Sequence, residues 1–217
     1  MHGQAQKKNT STLFWALAVF FFLPSLHSFA ADQTATVLNL NGEKIQPLLL
    51  SDGDARKATL LIFTTIDCPI ANSYAPELGR IQKEFDPEGI RIFLVHVDPA
   101  VNAEAAKKHA TEYHLDMSVV LDLKHELATY AGATITPEAA IFDRAGMLLY
   151  RGRIDNRYEG YGKDRVKATT HELRMALDNV IHGEKIENPR TKAVGCRIEY
   201  LLPNKSVSNE PSKEKKL

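Results

Sequence analysis

Two apolar runs of strand length, residues 58–64 (ATLLIFT) and 90–97 (IRIFLVHV), bracket a stretch in which Ile70, Tyr74, Leu78, Ile81 and Phe85 recur at three- and four-residue intervals. A continuous apolar run fits a strand covered on both faces, and the three/four spacing paints one stripe along a helix. Strand, helix, strand in this order is a crossover unit, which joins parallel strands. The chain is therefore expected to be α/β, a central sheet flanked by helices. Pro76 lies inside the helical stretch, where its ring and missing N–H predict a kink.

The rest of the sequence extends that sheet. Residues 36–40 and 44–50 flank Asn41-Gly42, a pair suited to a tight hairpin, although Pro47 makes the second run an edge strand at best. Residues 103–114 are helical by composition, 119–121 are strand-like, and 126–130 suggest further helix before Gly132. Thr136-Pro137 leads into a second hairpin, 139–142 and 147–151 around Asp143-Arg144-Ala145-Gly146. Hairpin strands are antiparallel, so the sheet is mixed. Residues 152–167 have no period and form a long loop of the kind that often carries function, before a helix over 171–181. Within that loop and just before it, Arg151, Arg153, Asp155 and Arg157 read as a salt-bridged group or as an anion or peptide site. Beyond Gly183 the chain reads as irregular, with a short apolar run at 198–202.

The first thirty residues carry Lys7, Lys8, an apolar run over 13–23 and Ser28-Phe29-Ala30, the pattern of a secretory signal. The run is broken by Pro24 and is shorter than a bilayer span requires, so no stable membrane span is expected after cleavage. The mature chain is then exported, periplasmic or extracellular, with one domain over 33–202 and a disordered polar tail over 203–217. The whole chain holds 27 basic and 27 acidic residues, and the signal removes two lysines and no acid. With lysines clustered only at 213–216, nothing recruits nucleic acid.

Chemistry falls to the two cysteines. Cys68, between a buried strand and a helix, meets unpaired N–H groups and the positive end of the helix dipole, which favour a thiolate. The neighbouring Asp67 opposes that charge and suits an N-cap role instead. In an exported protein disulfides persist. Cys196 is then a resolving partner for Cys68, one half of a static bridge with it, or a thiol in a loose segment. The six histidines after the signal have no i, i+4 pair, and even His109 and His114 are five apart. No metal or other cofactor is expected.

The segment LIFTTIDCP (61–69), the helix carrying Tyr74-Ala75-Pro76-Glu77-Leu78, the strand ending near Asp98 and Thr136-Pro137 before a hairpin resemble the thioredoxin-like superfamily. Within it they are most similar to the redoxin, or alkyl hydroperoxide reductase/thiol-specific antioxidant (AhpC/TSA), branch. The resemblance spans roughly residues 36–183 and implies a thioredoxin-like fold with an N-terminal hairpin and a cis Pro137 lying against Cys68. It departs at Cys68-Pro69-Ile70-Ala71, where dithiol exchangers carry a second cysteine. Against the peroxiredoxin pattern, Thr65 stands correctly three residues before Cys68. Leu61 replaces the proline, and Pro137 falls near the arginine position, leaving Arg151 or Arg153 as substitutes. Asp-Cys-Pro-Ile-Ala-Asn (67–72), Tyr-Arg-Gly-Arg-Ile-Asp (150–155) and Gly195-Cys196 resemble a group of exported redoxin-domain proteins.

The resemblance implies a thiol-based redox protein in which Cys68 attacks, Cys196 resolves, and Thr65 and Pro137 flank the site. Its partners would be a peroxide, or a protein or small-molecule disulfide, together with a thiol reductant. The rival reading is a non-catalytic binding module of the same fold, with Cys68 and Cys196 inert or bridged. Metal handling by Cys68 with a histidine is a third.

Overall fold

The computed structural model describes residues 35–49, 53–160 and 162–200, together with His2. The chain divides into Met1–Ala30 and Ala31–Leu217, and every described strand and helix belongs to the second unit. The signal expected over 1–30 and the tail expected over 203–217 lie outside the described residues.

Strands β1 (Val37–Asn39) and β2 (Lys44–Ile45) form the expected N-terminal hairpin. The Asn39 side chain accepts from the N–H groups of Asn41 and Glu43, and Gly42 supplies the left-handed turn at φ +80°. Pro47 falls just outside the second strand. Strand β3 (Ala58–Thr64) is buried along its whole length and runs parallel to β4 (Ile90–His96), which runs parallel to β5 (Ser118–Leu121). After the short β6 (Ile135–Thr136), β7 (Glu138–Asp143) returns antiparallel to β3 and pairs with β8 (Leu148–Gly152). The mixed sheet has the order β2-β1-β5-β4-β3-β7-β8.

The expected kink at Pro76 is a complete break. Helix α1 (Pro69–Ser73) ends at Tyr74, and the same residue opens α2 (Ala75–Phe85), with Pro76 in its first turn where a missing N–H leaves no hydrogen bond unmade. Three further helices follow, α3 (Ala103–Glu112), α4 (Glu126–Ala131) and α5 (Glu172–His182). Alternate residues of β3 enter two cores. Leu60 and Ile62 pack with Leu78, Ile81, Ala106 and Leu177 from α2, α3 and α5, while Leu61 and Phe63 pack with Leu127 and Ala128 of α4. The loop over 152–167 contains a small hairpin, β9 (Tyr158–Gly160) with β10 (Lys163–Asp164).

The segment after Gly183 is far more ordered than the sequence suggests. Arg151 donates its N–H to the Pro189 carbonyl at 2.9 Å and Thr191 donates to the Arg151 carbonyl at 3.1 Å, so residues 189–191 line the edge of β8. The approach at Gly152 is too close for a side chain, since a Cβ there would meet the Thr191 carbonyl oxygen at 2.6 Å. The chain then crosses to form β11 (Cys196–Arg197), antiparallel to β6, with Cys196 opposite Thr136. Beyond it, the Ile198 N–H donates to Thr134 O at 3.0 Å, the Ile198 side chain enters the second core, and the Tyr200 hydroxyl donates to Ala133 O. This strap has two-residue pairings and no periodicity, which is why pattern reading leaves it irregular.

Candidate functional site

Cys68 follows the buried strand β3 by a short turn and is itself the N-cap of α1. Its sulfur accepts from the Ala71 N–H at 3.5 Å, the cap interaction expected of Asp67. Asp67 instead lies exposed beside it. Because the break at Tyr74 leaves α1 only five residues long, the local N–H is the surviving part of the expected helix-end effect. The Cys68 thiol also donates to the Thr136 carbonyl at 3.1 Å, and the bond from Thr136 to Pro137 is cis. Cys68 is fully buried, with no exposed surface.

The carbonyl that receives the Cys68 thiol belongs to the residue paired with Cys196. Thr136 binds on both sides, its carbonyl to Cys68 and its hydroxyl donating to the Cys196 carbonyl at 3.4 Å. Gly195 makes the approach possible, because a Cβ there would stand 2.0 Å from Thr136 O. Thr136 thus brings Cys68 and Cys196 together, and both cysteines are free. Burial first, then the neighbouring Cys68 sulfur and the Asp67 carboxylate, push the Cys196 thiol up to about 12. Cys196 is partly exposed and lines a cleft of about 480 Å³ with Thr65, Asp67, Asp98, Arg197 and Glu199. Thr65 therefore sits just past the end of β3, half-buried in the wall of this cleft.

Neither arginine considered for the site is available to it. Arg151 pairs with buried Glu138 at 3.5 Å and donates to the Ala131 and Gly132 carbonyls, and Arg153 pairs with Glu172. Glu138 in turn accepts from the N–H groups of Thr134 and Ile135 at 2.7 and 3.3 Å, so Arg151 braces the turn that presents Thr136. Buried Asp155 accepts from the Tyr74 hydroxyl at 2.6 Å, and Arg157 lies 4.4 Å over the Tyr74 ring. Burial, and then Asp155, raise the Tyr74 phenol far above its ordinary value. The arginine-rich motif is thus a salt-bridged anchor for the long loop.

A feature invisible to linear spacing lies beneath α1. Asn72 donates to Ile66 O at 3.0 Å and meets His109 Nε2 with its side-chain oxygen at 2.8 Å, tying the turn before Cys68 to α3. His109 stacks edge-on against fully buried His96, with ring centroids 5.2 Å apart. Burial, and secondarily His109, hold His96 down at about 3. Among the described residues no group of three or more His, Cys, Asp or Glu converges to hold a metal.

The AhpC/TSA family model matches residues 16–151, more than half of the chain. The chain belongs to the AhpC/TSA family. The matched stretch includes Thr65, Cys68 and Pro137 and ends at Arg151, so the strap carrying Cys196 lies beyond it. No protein of curated description matches this AhpC/TSA chain. Among solved structures it is similar to an uncharacterized conserved protein from Geobacillus kaustophilus, at 25% identity and TM-score 0.66 over 77% of this chain and 89% of that one. A hypothetical protein from Sinorhizobium meliloti 1021 is similar at 22% identity and TM-score 0.65, covering 77% and 91% respectively. The C-terminal domain of a proposed thiol-disulfide oxidoreductase from Bacteroides thetaiotaomicron shares the fold at 19% identity and TM-score 0.51, over 68% and 91%. The fold is thioredoxin-like, and family and fold together support a thiol redox function.

Proposed function

We propose that this protein is an exported thiol–disulfide redox protein whose working couple is Cys68 and Cys196, cycling between two thiols and one intramolecular disulfide. The observation that carries the reading is the convergence of both cysteines on Thr136, whose carbonyl receives the Cys68 thiol and which pairs with Cys196 in the β6–β11 ladder. It supplies from the strap the second thiol that Ala71 denies to the helix, without which a mixed disulfide has no internal resolution. Export rests on the first thirty residues, and oxidation of the pair suits a compartment where disulfides persist. Among the described residues no helix is long and apolar enough to cross a membrane.

Disulfide exchange is favoured over peroxide reduction. A peroxide must be polarised by donors beside the attacking sulfur, and Arg151 and Arg153 are held by Glu138 and Glu172. The test is to treat reduced protein with hydroxyethyl disulfide or with hydrogen peroxide, then titrate thiols and weigh the product. Wild type is expected to lose both thiols without retaining an adduct, faster with the disulfide, while Cys68→Ser and Cys196→Ser each retain one adduct or none. If neither reagent consumes thiols in the wild type, the redox reading fails and the binding-module reading stands.

A further inference from the structure

The geometry points to Cys196, not Cys68, as the sulfur that bonds to an incoming partner, and to a cationic thiol or disulfide as that partner, received by the carboxylates of Asp67, Asp98 and Glu199. This inference rests on the Cys68–Cys196 couple proposed above. Two independent observations lead to it. The first is access: Cys68 has no exposed surface and lies behind β11, whereas Cys196 is partly exposed and opens onto the cleft of about 480 Å³. That volume is ample for a side chain carrying a disulfide and far larger than a peroxide needs. The second is charge: the walls of the cleft carry Asp67, Asp98 and Glu199 against the single cation Arg197. Opposite charge favours encounter with such a cleft and like charge opposes it.

Exchange follows from this placement. A partner thiolate attacks the Cys196 sulfur of the oxidised couple, a new S–S bond forms to the partner, and the Cys68–Cys196 bond breaks. The electron pair leaves on the Cys68 sulfur, to which the Ala71 N–H donates, and Cys68 takes up a proton. A second thiolate of the partner then attacks the partner's own bonded sulfur and releases Cys196, which is protonated in turn. The partner dithiol is oxidised to a disulfide and the couple gains two electrons and two protons. In the reverse direction Cys68 resolves the mixed disulfide at Cys196, so the buried sulfur retains an attacking role. Asp67 is among the groups that raise the Cys196 thiol, so a cation docked on Asp67 also eases charge at the reacting sulfur.

The experiment uses oxidised full-length mature protein and three small thiols of similar size: cysteamine (cationic), 2-mercaptoethanol (neutral) and 3-mercaptopropionate (anionic). Rates are compared per thiolate. Cysteamine is expected to be about tenfold faster than 3-mercaptopropionate at low salt, with the ratio falling toward one in about 0.5 M salt, where the Debye length is a few ångströms. The ratio should also collapse in the Asp67→Asn, Asp98→Asn, Glu199→Gln variant. In Cys68→Ser, treated with cystamine, the adduct should sit on Cys196 and form faster than the Cys68 adduct of Cys196→Ser. Equal rates for the three thiols overturn the charge assignment, and a faster adduct at Cys68 overturns the choice of sulfur. Failure of the protein to form a Cys68–Cys196 disulfide is seen before any thiol is added and counts against the couple itself.

Discussion

At the scale of single residues, Gly195 decides whether the second cysteine arrives. Only a residue without a side chain fits against the Thr136 carbonyl, so Gly195→Ala should cost about 1–3 kcal/mol and lift Cys196 from its partner. Air or disulfide oxidation of the pair should slow about tenfold or more, read by thiol titration, while Cys68 alkylation speeds up. The buried His96 makes a different prediction. Folded, it stays neutral down to about 3, whereas in the unfolded chain it takes a proton near 6.5. The unfolded state therefore binds more protons below 6.5, and stability, complete above that pH, falls as the pH descends toward 3. The unfolding free energy from urea titration should drop between about pH 6.5 and pH 5, above the range in which carboxylates titrate, by up to about 1.4 kcal/mol per pH unit for one proton. His96→Phe should flatten that slope, and an unchanged slope would remove His96 as its cause. The placement of Cys68 could be read from the sequence because strand, cysteine and helix are consecutive. The meeting of Asn72, His109 and His96 could not, since three elements bring them together.

At the scale of elements, the strap over 195–200 holds the site shut. It is clipped by the β6 pairing, by the Ile198 N–H on Thr134 and by the Ile198 side chain in the second core. Trimming Ile198 to Ala removes the apolar anchor, a loss of about 2–5 kcal/mol when a core side chain is truncated. The loss falls on a segment that can open by itself, so faster hydrogen exchange at Cys196 and Ile198 and faster alkylation of Cys68 are expected, with a smaller change in the global melting temperature. Loss of global stability by the full amount would mean that the strap and sheet open together. The long elements were legible: β3 matches its apolar run residue for residue, α2 carries the expected stripe, and α3 and α5 match the expected helices within a few residues. Break and strap were legible only in part. Pro76 announced a disturbance, but the cap exchange at Tyr74 depends on Asp155 and Arg157 holding that ring from the distant loop. The late Gly-Cys pair and the short apolar run after it were the available signs of the strap, and its partner strand β6 is too short to register in any pattern.

Across the whole molecule, one sheet separates two cores, and β3 feeds both. Leu60→Ala and Leu61→Ala, adjacent in sequence but packed on opposite faces, should each destabilise by about 2–5 kcal/mol. Their effects in the double variant should add to within about 0.5 kcal/mol, as expected of sites without shared neighbours; urea denaturation measures this, and a strong departure from additivity would mean that the faces communicate through the strand. The mixed sheet and its helical layers were foreseeable because both follow from crossover and hairpin rules. Cys196 could be named from the sequence as a candidate partner for Cys68, but the β6–β11 pairing that brings it there could not, because it lies in a segment outside the stretch that defines the family. That position in the sequence also sets an order in time. The strap follows every other described strand and helix, so in a growing chain the residues of the sheet and Cys68 are present before Cys196 has appeared. Until the strap docks, Cys68 stands without its second thiol, and the couple proposed above cannot form.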